Sequence, residues 1–466
     1  MNPKQRILLI KPHQNTPTTY HSPPLGLLYL AAYLRRNAEA EVKIFHMPVS
    51  GMPYDELAEK ITHFRPTWVG ISGLTFESQG IHRVAAIAKQ VAPNVPVIVG
   101  GPHASSYTDM VMSDTNIDYL VLGEGELSTD ELSNAIHTGS PVAGIDGIVW
   151  RDNGNICKNP KKRYIEDLDA LPFPAWDLID INAYTRFDRM SRIGTKKYMG
   201  IFTSRACPFQ CLYCHKMFGK GFRKRSPENV LAEIRTLYDT YEVRELEIID
   251  DCFNLDLDRA KKIFTLITES GMDLRLMFSN GVRGDHLDEE FFIMGRNAGV
   301  RYMSFAVETA SQRLQKLVKK NIDLQKIQHN IALARKHHII SVGYFMLGFP
   351  TETLQEIRAT INFAVNSKLH AANFFAVTPF EGTELANLAR SMNKPVFERF
   401  ESDFMSGGFT NLTDIPDKLL KRTRQLALIR FWMKPSRIAA LIRDYPDKKR
   451  LPYLGYALIK RILLKA

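Results

Sequence analysis

Three cysteines fall in one short run, Cys207-Pro-Phe-Gln-Cys211-Leu-Tyr-Cys214. Three thiolates in one loop can hold three irons of a [4Fe–4S] cube. The fourth iron is then open to a substrate or cofactor, so such a cluster can do chemistry as well as carry electrons. Zinc is the alternative, but it usually takes four closed ligands, and no second Cys/His pair lies nearby at zinc spacing. His215 follows Cys214 directly, which makes shared coordination of one metal awkward. A disulfide reading is poor, because three is odd and nothing marks a secreted chain. Cys157 and Cys252 are left over as free thiols.

The elements that must position these groups are bounded by composition. A length of 466 residues predicts two to three domains, and 45% hydrophobic with 24% charged residues is ordinary for a globular chain. The sparse cysteines and an N-terminus without an apolar signal region predict a reducing cytoplasm. No apolar run reaches about 18 residues, so no membrane-spanning helix is expected. The net charge of +11 gathers around Lys216–Arg225 and from Lys418 onward. Beyond a solvated basic surface, that excess suits an anionic substrate, nucleic acid or a membrane surface. No nucleic-acid module is readable, so no nucleic-acid partner is expected.

Residues 6–135 alternate strand and helix patterns. Strands are predicted at Ile7–Ile10, Val42–Phe45, Trp68–Ser72, Val97–Val99 and Tyr119–Leu122, and helices at Leu25–Arg36, Tyr54–His63, Ser78–Val91 and Glu126–His137. The strands are Val/Ile/Leu-rich and mostly not alternating, as in a doubly wound parallel sheet covered on both faces. Ligands of such a sheet bind beyond the carboxyl ends of its strands. The residues there are Ser72-Gly-Leu74-Thr75, Gly100-Gly101-Pro102-His103 and Gly123-Glu124-Gly125-Glu126. Glycines let backbone approach a large ligand closely, although ordinary tight turns would look the same. Residues 138–195 connect the halves, with a small hairpin at 147–156 turning at Asp152-Asn153-Gly154 and a proline-stiffened run from Asp167 to Trp176. From Tyr198 the alternation restarts. Strands are read at Met199–Thr203, Glu245–Ile249, Arg275–Phe278, Tyr302–Val307, Ser341–Leu347 and Ala372–Val377. Helices are read at Pro227–Tyr241, Leu257–Ser270, Asp288–Ala298, Leu324–Lys336 and Leu354–Asn366. Six βα units fit an open, partial (β/α)6 barrel, whose site gathers at the carboxyl ends of its strands.

The C-x3-C-x2-C run with Tyr213 before its last Cys resembles the radical S-adenosylmethionine (SAM) superfamily. The resemblance implies that Cys207, Cys211 and Cys214 ligate the cluster, that SAM chelates the open iron, and that SAM cleavage yields a 5′-deoxyadenosyl radical. It carries Tyr213 over to the adenine, Asp250 (with Asp251 beside it) to the SAM amino group, and Glu308 to SAM. Asn280 and Arg283 lie after the third strand of this half, where SAM contacts are also expected. Gly343-Tyr-Phe-Met-Leu-Gly348-Phe-Pro350-Thr-Glu352-Thr resembles the fifth-strand motif beside the adenine, and Pro379-Phe-Glu-Gly382-Thr383 the turn after the sixth. Thr309, where the family often has Ser, and Glu381, where it has Pro, depart from the pattern.

The first half resembles the cobalamin-binding domain found ahead of many radical SAM enzymes. Ser72, Leu74, Gly100 and Gly101 match its cleft-lining positions, with Thr75, Gly123 and Glu124 on the same loops. The family's D-x-H-x-x-G loop supplies a lower axial His to cobalt. Here Lys11-Pro-His13-Gln-Asn-Thr16 keeps the His without the Asp and Gly. His13 is thus a candidate cobalt ligand without the partner that usually orients such a His.

The expected architecture is α/β. A Rossmann-like cobalamin-binding domain covers 1–140, a linker with a hairpin 141–195, a radical SAM partial barrel 196–400 and a helical basic tail 401–466. In the tail, a helix is predicted over Pro416–Lys434 with Pro416 at its first position. The run from Leu451 to Ala466 is read as a helix packed on the barrel, with a peripheral membrane contact as the alternative. The resemblance implies a cytoplasmic, cobalamin-dependent methyltransferase acting on an unactivated carbon or phosphorus of a small or lipid-like substrate. Flavodoxin or ferredoxin would supply electrons. The alternatives are a radical oxidative cyclase similar to the anaerobic magnesium-porphyrin ring cyclase, and a non-catalytic iron–sulfur and cobalamin binding protein.

Overall fold

The computed structural model describes residues 4–15, 20–38, 40–191, 193–194, 196–396, 410–453 and 455–456. The chain forms two compact units. One is built from residues up to 188 with 216–223, the other from 189–215 and most of the chain after 224.

In the first unit, β1 (Arg6–Lys11), β2 (Glu41–His46), β3 (Trp68–Ser72), β4 (Val97–Gly100) and β5 (Tyr119–Val121) form a parallel sheet in the order β2-β1-β3-β4-β5. Ile7 stands opposite both Val42 and Trp68. Ile7, Leu8, Leu9 and Ile10 are all fully buried, which is why the strand shows no polar alternation. Helices α1 (Leu25–Asn37), α2 (Tyr54–Phe64), α3 (Ser78–Val91) and α4 (Glu126–Thr138) alternate with the strands. The buried Trp68 Nε1–H donates to Ser133 on α4 at 2.8 Å, and Ser133 donates to Gln5 at 2.5 Å. The strand order reverses between β1 and β3, so a crevice opens between the loops that follow them.

The expected hairpin forms as β6 (Ile148–Asp152) and β7 (Asn155–Lys158), turning through Asn153 and Gly154, both at positive φ. It is not confined to a connecting segment. β6 pairs antiparallel with β5, Leu120 opposite Val149, and extends the sheet to seven strands. Three short helices, Met47–Ser50, Pro102–Ser106 and Thr108–Met112, were not anticipated.

The second unit holds an all-parallel sheet of β8 (Tyr198–Ile201), β9 (Glu245–Ile248), β10 (Arg275–Val282), β11 (Val300–Glu308), β12 (Ile340–Leu347) and β13 (Ala371–Ala376), in spatial sequence from β8 to β13. Among the described residues β8 and β13 remain unpaired edges, so the barrel is open. Helices α5 (Pro227–Tyr241), α6 (Leu257–Glu269), α7 (Glu289–Asn297), α8 (Leu324–Lys336) and α9 (Leu354–Asn366) connect the strands. Each starts at a side-chain cap: Ser226, Asp256, Asp288, Asp323 and Thr353 accept from backbone N–H groups of the first turn.

The tail folds as α10 (Asp417–Trp432) and α11 (Pro435–Asp444). Pro416 is the extended cap of α10 and not its first helical residue. Arg437 of α11 is 1% exposed and donates to the carbonyls of Val365, Ser367 and Leu369 at 2.9 to 3.1 Å, where α9 ends with unpaired carbonyls. The tail is therefore part of this unit's packing. Of the run from Leu451, residues 454 and 457–466 lie outside the described residues, as does Thr16 of the His13 loop. Among the described residues no helix is long and apolar enough to cross a membrane.

Candidate active site

The cysteine run leaves β8 through a loop anchored at three points. Thr203 N–H and Oγ1–H donate to Asp250 at 2.6 and 2.5 Å, and Ser204 Oγ–H donates to it at 2.6 Å. Ala206 then turns the chain at φ +67° into Cys207. At the middle of the run, Leu212 N–H donates to Val318 O at 3.1 Å, and Leu212 O accepts from Leu385 N–H at 2.9 Å. The Leu212 side chain packs with Phe349, Leu385 and Leu412, and Tyr213 lies against the same cluster, 6.2 Å from the Phe349 ring.

All five cysteines are free thiols. Cys211 is buried and Cys214 exposed. The thiols fall into two hydrogen-bonded pairs. A bond from Cys252 pulls Cys207 down to about 7, and one from Cys214 pulls Cys211 down to about 6, with the Lys320 ammonium helping at Cys211. Cys214 and Cys252, the donors, are pushed up. Among the described residues no three His, Cys, Asp or Glu side chains converge as a single-ion site. A four-iron cube needs no such convergence, because each thiolate binds a different iron. Three free thiols in one anchored loop that do not converge on a single ion fit the cube better than a tetrahedral zinc.

The neighbouring strand ends bring the other predicted residues toward this loop. Asp250, after β9, is 2% exposed, and its oxygens are taken up by Thr203 and Ser204. It holds the loop and does not face open space; the adjacent Asp251 is the exposed carboxylate. Asn280 donates to Asp250 O at 3.0 Å. Arg283 pairs with Asp285 at 3.1 Å and stacks 3.8 Å from the Phe209 ring. Glu308, closing β11 at φ +65°, is 8% exposed, and burial raises its pKa. Gly348 follows β12 at φ +103°, a conformation that a side chain would strain. Gly348 and Pro350 are buried.

Glu352, the acidic residue of the fifth-strand motif, accepts from Gly348 N–H at 2.6 Å and Phe349 N–H at 3.0 Å, fixing the Gly-Phe-Pro turn. Two residues near this loop were not foreseen. Lys320 lies 3.5 Å from Glu308, and Cys252 against Cys207; neither has a local sequence signature.

The first unit gathers its predicted residues at the carboxyl ends of β1, β3, β4 and β5. Leu74 is exposed, and Ser72 and Thr75 are half-buried. Gly101 has φ +88°, and a Cβ there would stand 2.7 Å from Ser72 Oγ, so only glycine keeps this cradle open. Gly100 meets nothing closer than 3.6 Å, and Gly123, at φ +65°, accepts no side chain without strain. Lys11 and Glu77 form an unforeseen ion pair at 2.5 Å, and Glu77 also accepts from Leu74 N–H at 2.6 Å. One residue, Glu124, turns away from its expected role. Glu124 is buried against Arg223 at 2.8 Å and accepts from Ile165 N–H at 3.1 Å. His13 directs Nε2 to Met52 O at 2.8 Å, leaving Nδ1 as the nitrogen not engaged by that carbonyl. The exposed Leu74 and the Gly100–Gly101 cradle still fit a large planar ligand.

Comparison with known proteins agrees with both halves. Residues 201–364 match the Radical SAM superfamily and residues 16–133 the B12 binding domain. The chain is 32% identical to "Uncharacterized methyltransferase PH0819" of Pyrococcus horikoshii, over 91% of this chain and 90% of that protein. It is 28% identical to the cytidylyl-2-hydroxyethylphosphonate methyltransferase of Streptomyces wedmorensis, over 82% and 81%. It is 26% identical to the anaerobic magnesium-protoporphyrin IX monomethyl ester cyclase of Rubrivivax gelatinosus, over 96% and 81%. The fold is similar to that of the radical SAM methyltransferase TsrM from Kitasatospora setae, with a TM-score of 0.73 at 18% identity over 93% and 90% of the chains. The cofactors are accordingly a [4Fe–4S] cluster, SAM and cobalamin. With its two matched domains and a relative similar along nearly the whole length, the chain belongs to the cobalamin-binding radical SAM enzymes.

Proposed function

We propose that Cys207, Cys211 and Cys214 each ligate one iron of the cluster, and that the enzyme methylates an unactivated carbon or phosphorus of a small or lipid-like substrate. In this reading Asp251, Asn280, Arg283, Glu308, Gly348 and Pro350 surround SAM, with Tyr213 at its adenine. Asp250 acts one step back, holding the cysteine loop. Ser72, Leu74, Thr75, Gly100, Gly101 and Gly123 cradle cobalamin, and Glu124 holds the Ile165 backbone. The bound cofactors supply the chemistry: reductive cleavage of SAM gives a radical that opens a substrate bond, and cobalamin carries the methyl group. The protein positions and encloses. Leu212 is fixed from two sides, and the apolar packing of Phe349, Leu385 and Leu412 keeps water from that side of the loop.

The observation that carries the reading is this anchoring. One loop with three free thiols is tied by Asp250, Val318 and Leu385 to the segments that follow three other strands of a parallel sheet. The test is anaerobic reconstitution with iron, sulfide and hydroxocobalamin, then metal analysis. About four irons per chain in the wild type, lost when the three cysteines become alanine, is the expected result; iron retained near wild-type stoichiometry in the triple variant overturns it. About one cobalt per chain is expected as well, and its absence would remove the methyl relay. The similarity to the magnesium-porphyrin cyclase keeps oxidative cyclisation as the second reading. S-Adenosylhomocysteine with methylated product marks the transferase, and 5′-deoxyadenosine without methyl transfer the cyclase.

The reading places the enzyme in the cytoplasm with flavodoxin or ferredoxin as electron donor. Residues 417–456 hold eleven Lys/Arg against three Asp/Glu, and Leu419, Leu426 and Ile429 are exposed along α10, with Met433 exposed at its cap. That face suits a reversible contact with an anionic membrane, which co-sedimentation with vesicles of phosphatidylglycerol against phosphatidylcholine would test.

A further inference from the structure

Lys319 and Lys320 are adjacent, yet their side chains have opposite fates. Lys319 points outward and pairs with Glu384 at 2.5 Å, both half-exposed. Lys320 turns inward, its side chain 13% exposed, and stands 3.5 Å from Glu308. The backbone enforces the difference. Lys319 and Asn321 have φ of +57° and +48°, so the chain reverses around Lys320. Gln315 holds this reversal against the end of β11. Its side-chain amide donates to Val307 O at 3.0 Å and Thr309 O at 2.6 Å, and its carbonyl accepts from Lys320 N–H at 3.0 Å. The same loop meets the cysteine run, through Val318 O on Leu212 N–H at 3.1 Å and Lys319 O at 3.9 Å from Cys211 Sγ.

An ammonium is rarely enclosed without purpose, because burial disfavours the charge. Here Glu308 stands as its counter-charge, and the carbonyl of the preceding residue, Lys319, lies 3.9 Å from Cys211 Sγ. The nearby cation Arg283 is already engaged by Asp285 at 3.1 Å. Lys320 sits beside a single carboxylate at a longer distance, in the loop that meets the cysteine run.

We propose that Lys320 is a positioning residue that sets the reduction potential of the cluster, its fixed positive charge stabilising the form that has accepted an electron. The inference rests on the cysteine assignment above. Adding an electron to a site that already carries thiolates and Glu308 raises its negative charge, and a buried cation opposes that rise more effectively than an exposed one.

The experiment uses the full chain, reconstituted anaerobically as wild type, K320M, K320Q and K320R. Iron is measured, and the cluster signal is titrated against mediator dyes. K320M and K320Q are expected to carry wild-type iron with a midpoint potential shifted negative, while K320R keeps the wild-type potential. An unshifted potential in K320M and K320Q overturns the assignment, as does an equal shift in K320R. Loss of iron in K320M and K320Q but not K320R supports a requirement for the charge at this site. Loss in all three overturns it in favour of packing. A wild type without iron refutes the cysteine assignment itself, a result distinct from any of these.

Discussion

Glu352 offers a sharp test of how the Gly-Phe-Pro turn is held. It is 2% exposed, and one of its oxygens accepts both Gly348 N–H and Phe349 N–H. Glu352→Ala orphans two buried donors, each costing about 1–3 kcal/mol, so the turn loses about 2–6 kcal/mol. Hydrogen exchange read on the peptide containing Gly348 and Phe349 should accelerate at least about 30-fold, since about 1.4 kcal/mol is a factor of ten. SAM affinity should fall with it. Glu352→Gln keeps an acceptor oxygen and should preserve most of the protection. The two variants also separate by pH. Burial pushes the Glu352 carboxyl up to about 7 against its two backbone hydrogen bonds. An acid whose pKa is raised by folding binds its proton more tightly in the folded state, so its stability contribution is greatest below the unfolded value and declines as pH rises toward the folded one. The interval from the ordinary 4.5 to about 7 corresponds to about 3 kcal/mol. Wild type should therefore lose local protection across that window, and Glu352→Gln should not. Parallel pH profiles for the two proteins, or exchange in Glu352→Ala within about threefold of wild type, would refute the reasoning.

Two further outcomes follow from the second unit. Arg437→Met removes the donors that end α9 and leaves Val365, Ser367 and Leu369 carbonyls unpaired in a buried site, which should cost on the order of 3–5 kcal/mol; calorimetry should show a lower transition, and an unchanged one would mean that the tail does not stabilise the barrel. Glu356 closes the capping box with Thr353, and its bonds to Arg313 bring its carboxyl down to about 2. Its contribution is present above the ordinary carboxylate value and is lost as pH falls toward about 2. Glu356→Gln should thus be less stable than wild type at pH 7, with the gap closing in acid; a gap that widens in acid would contradict the assignment.

The elements with local signals were legible. α5, α8 and α9 occupy the predicted residues, because cap and period sit in the same dozen residues: Ser226 before Pro227, Asp323 before Leu324, Thr353 with Glu356; α3 does so on its period alone. The strands were legible for a related reason, since burial on both faces leaves runs such as Ile7–Ile10 with no polar residue. Pairing was less so. The Asp152-Asn153-Gly154 turn announces a hairpin, but nothing local says that Val149 will stand opposite Leu120. That choice depends on which edge the parallel strands leave open.

The same distinction governs the site. The cysteine spacing is local and carries its chemistry openly. The Asp250-Asp251 pair does not reveal which carboxylate is structural, because the answer lies about 47 residues earlier in the chain, in whether Thr203 and Ser204 reach Asp250. Once they do, Asp250 is sealed at 2% exposure, and Asp251, next along the backbone, is left the more exposed of the two. His13 follows the same logic. Its type and loop suggest a metal ligand, and the Met52 carbonyl, far along the chain, takes Nε2. A ligating His normally has its second nitrogen oriented by a partner, so a carbonyl on Nε2 would suit ligation only through Nδ1. Residue type therefore nominates a candidate, and the distant partner decides whether it binds a ligand or holds the loop that does.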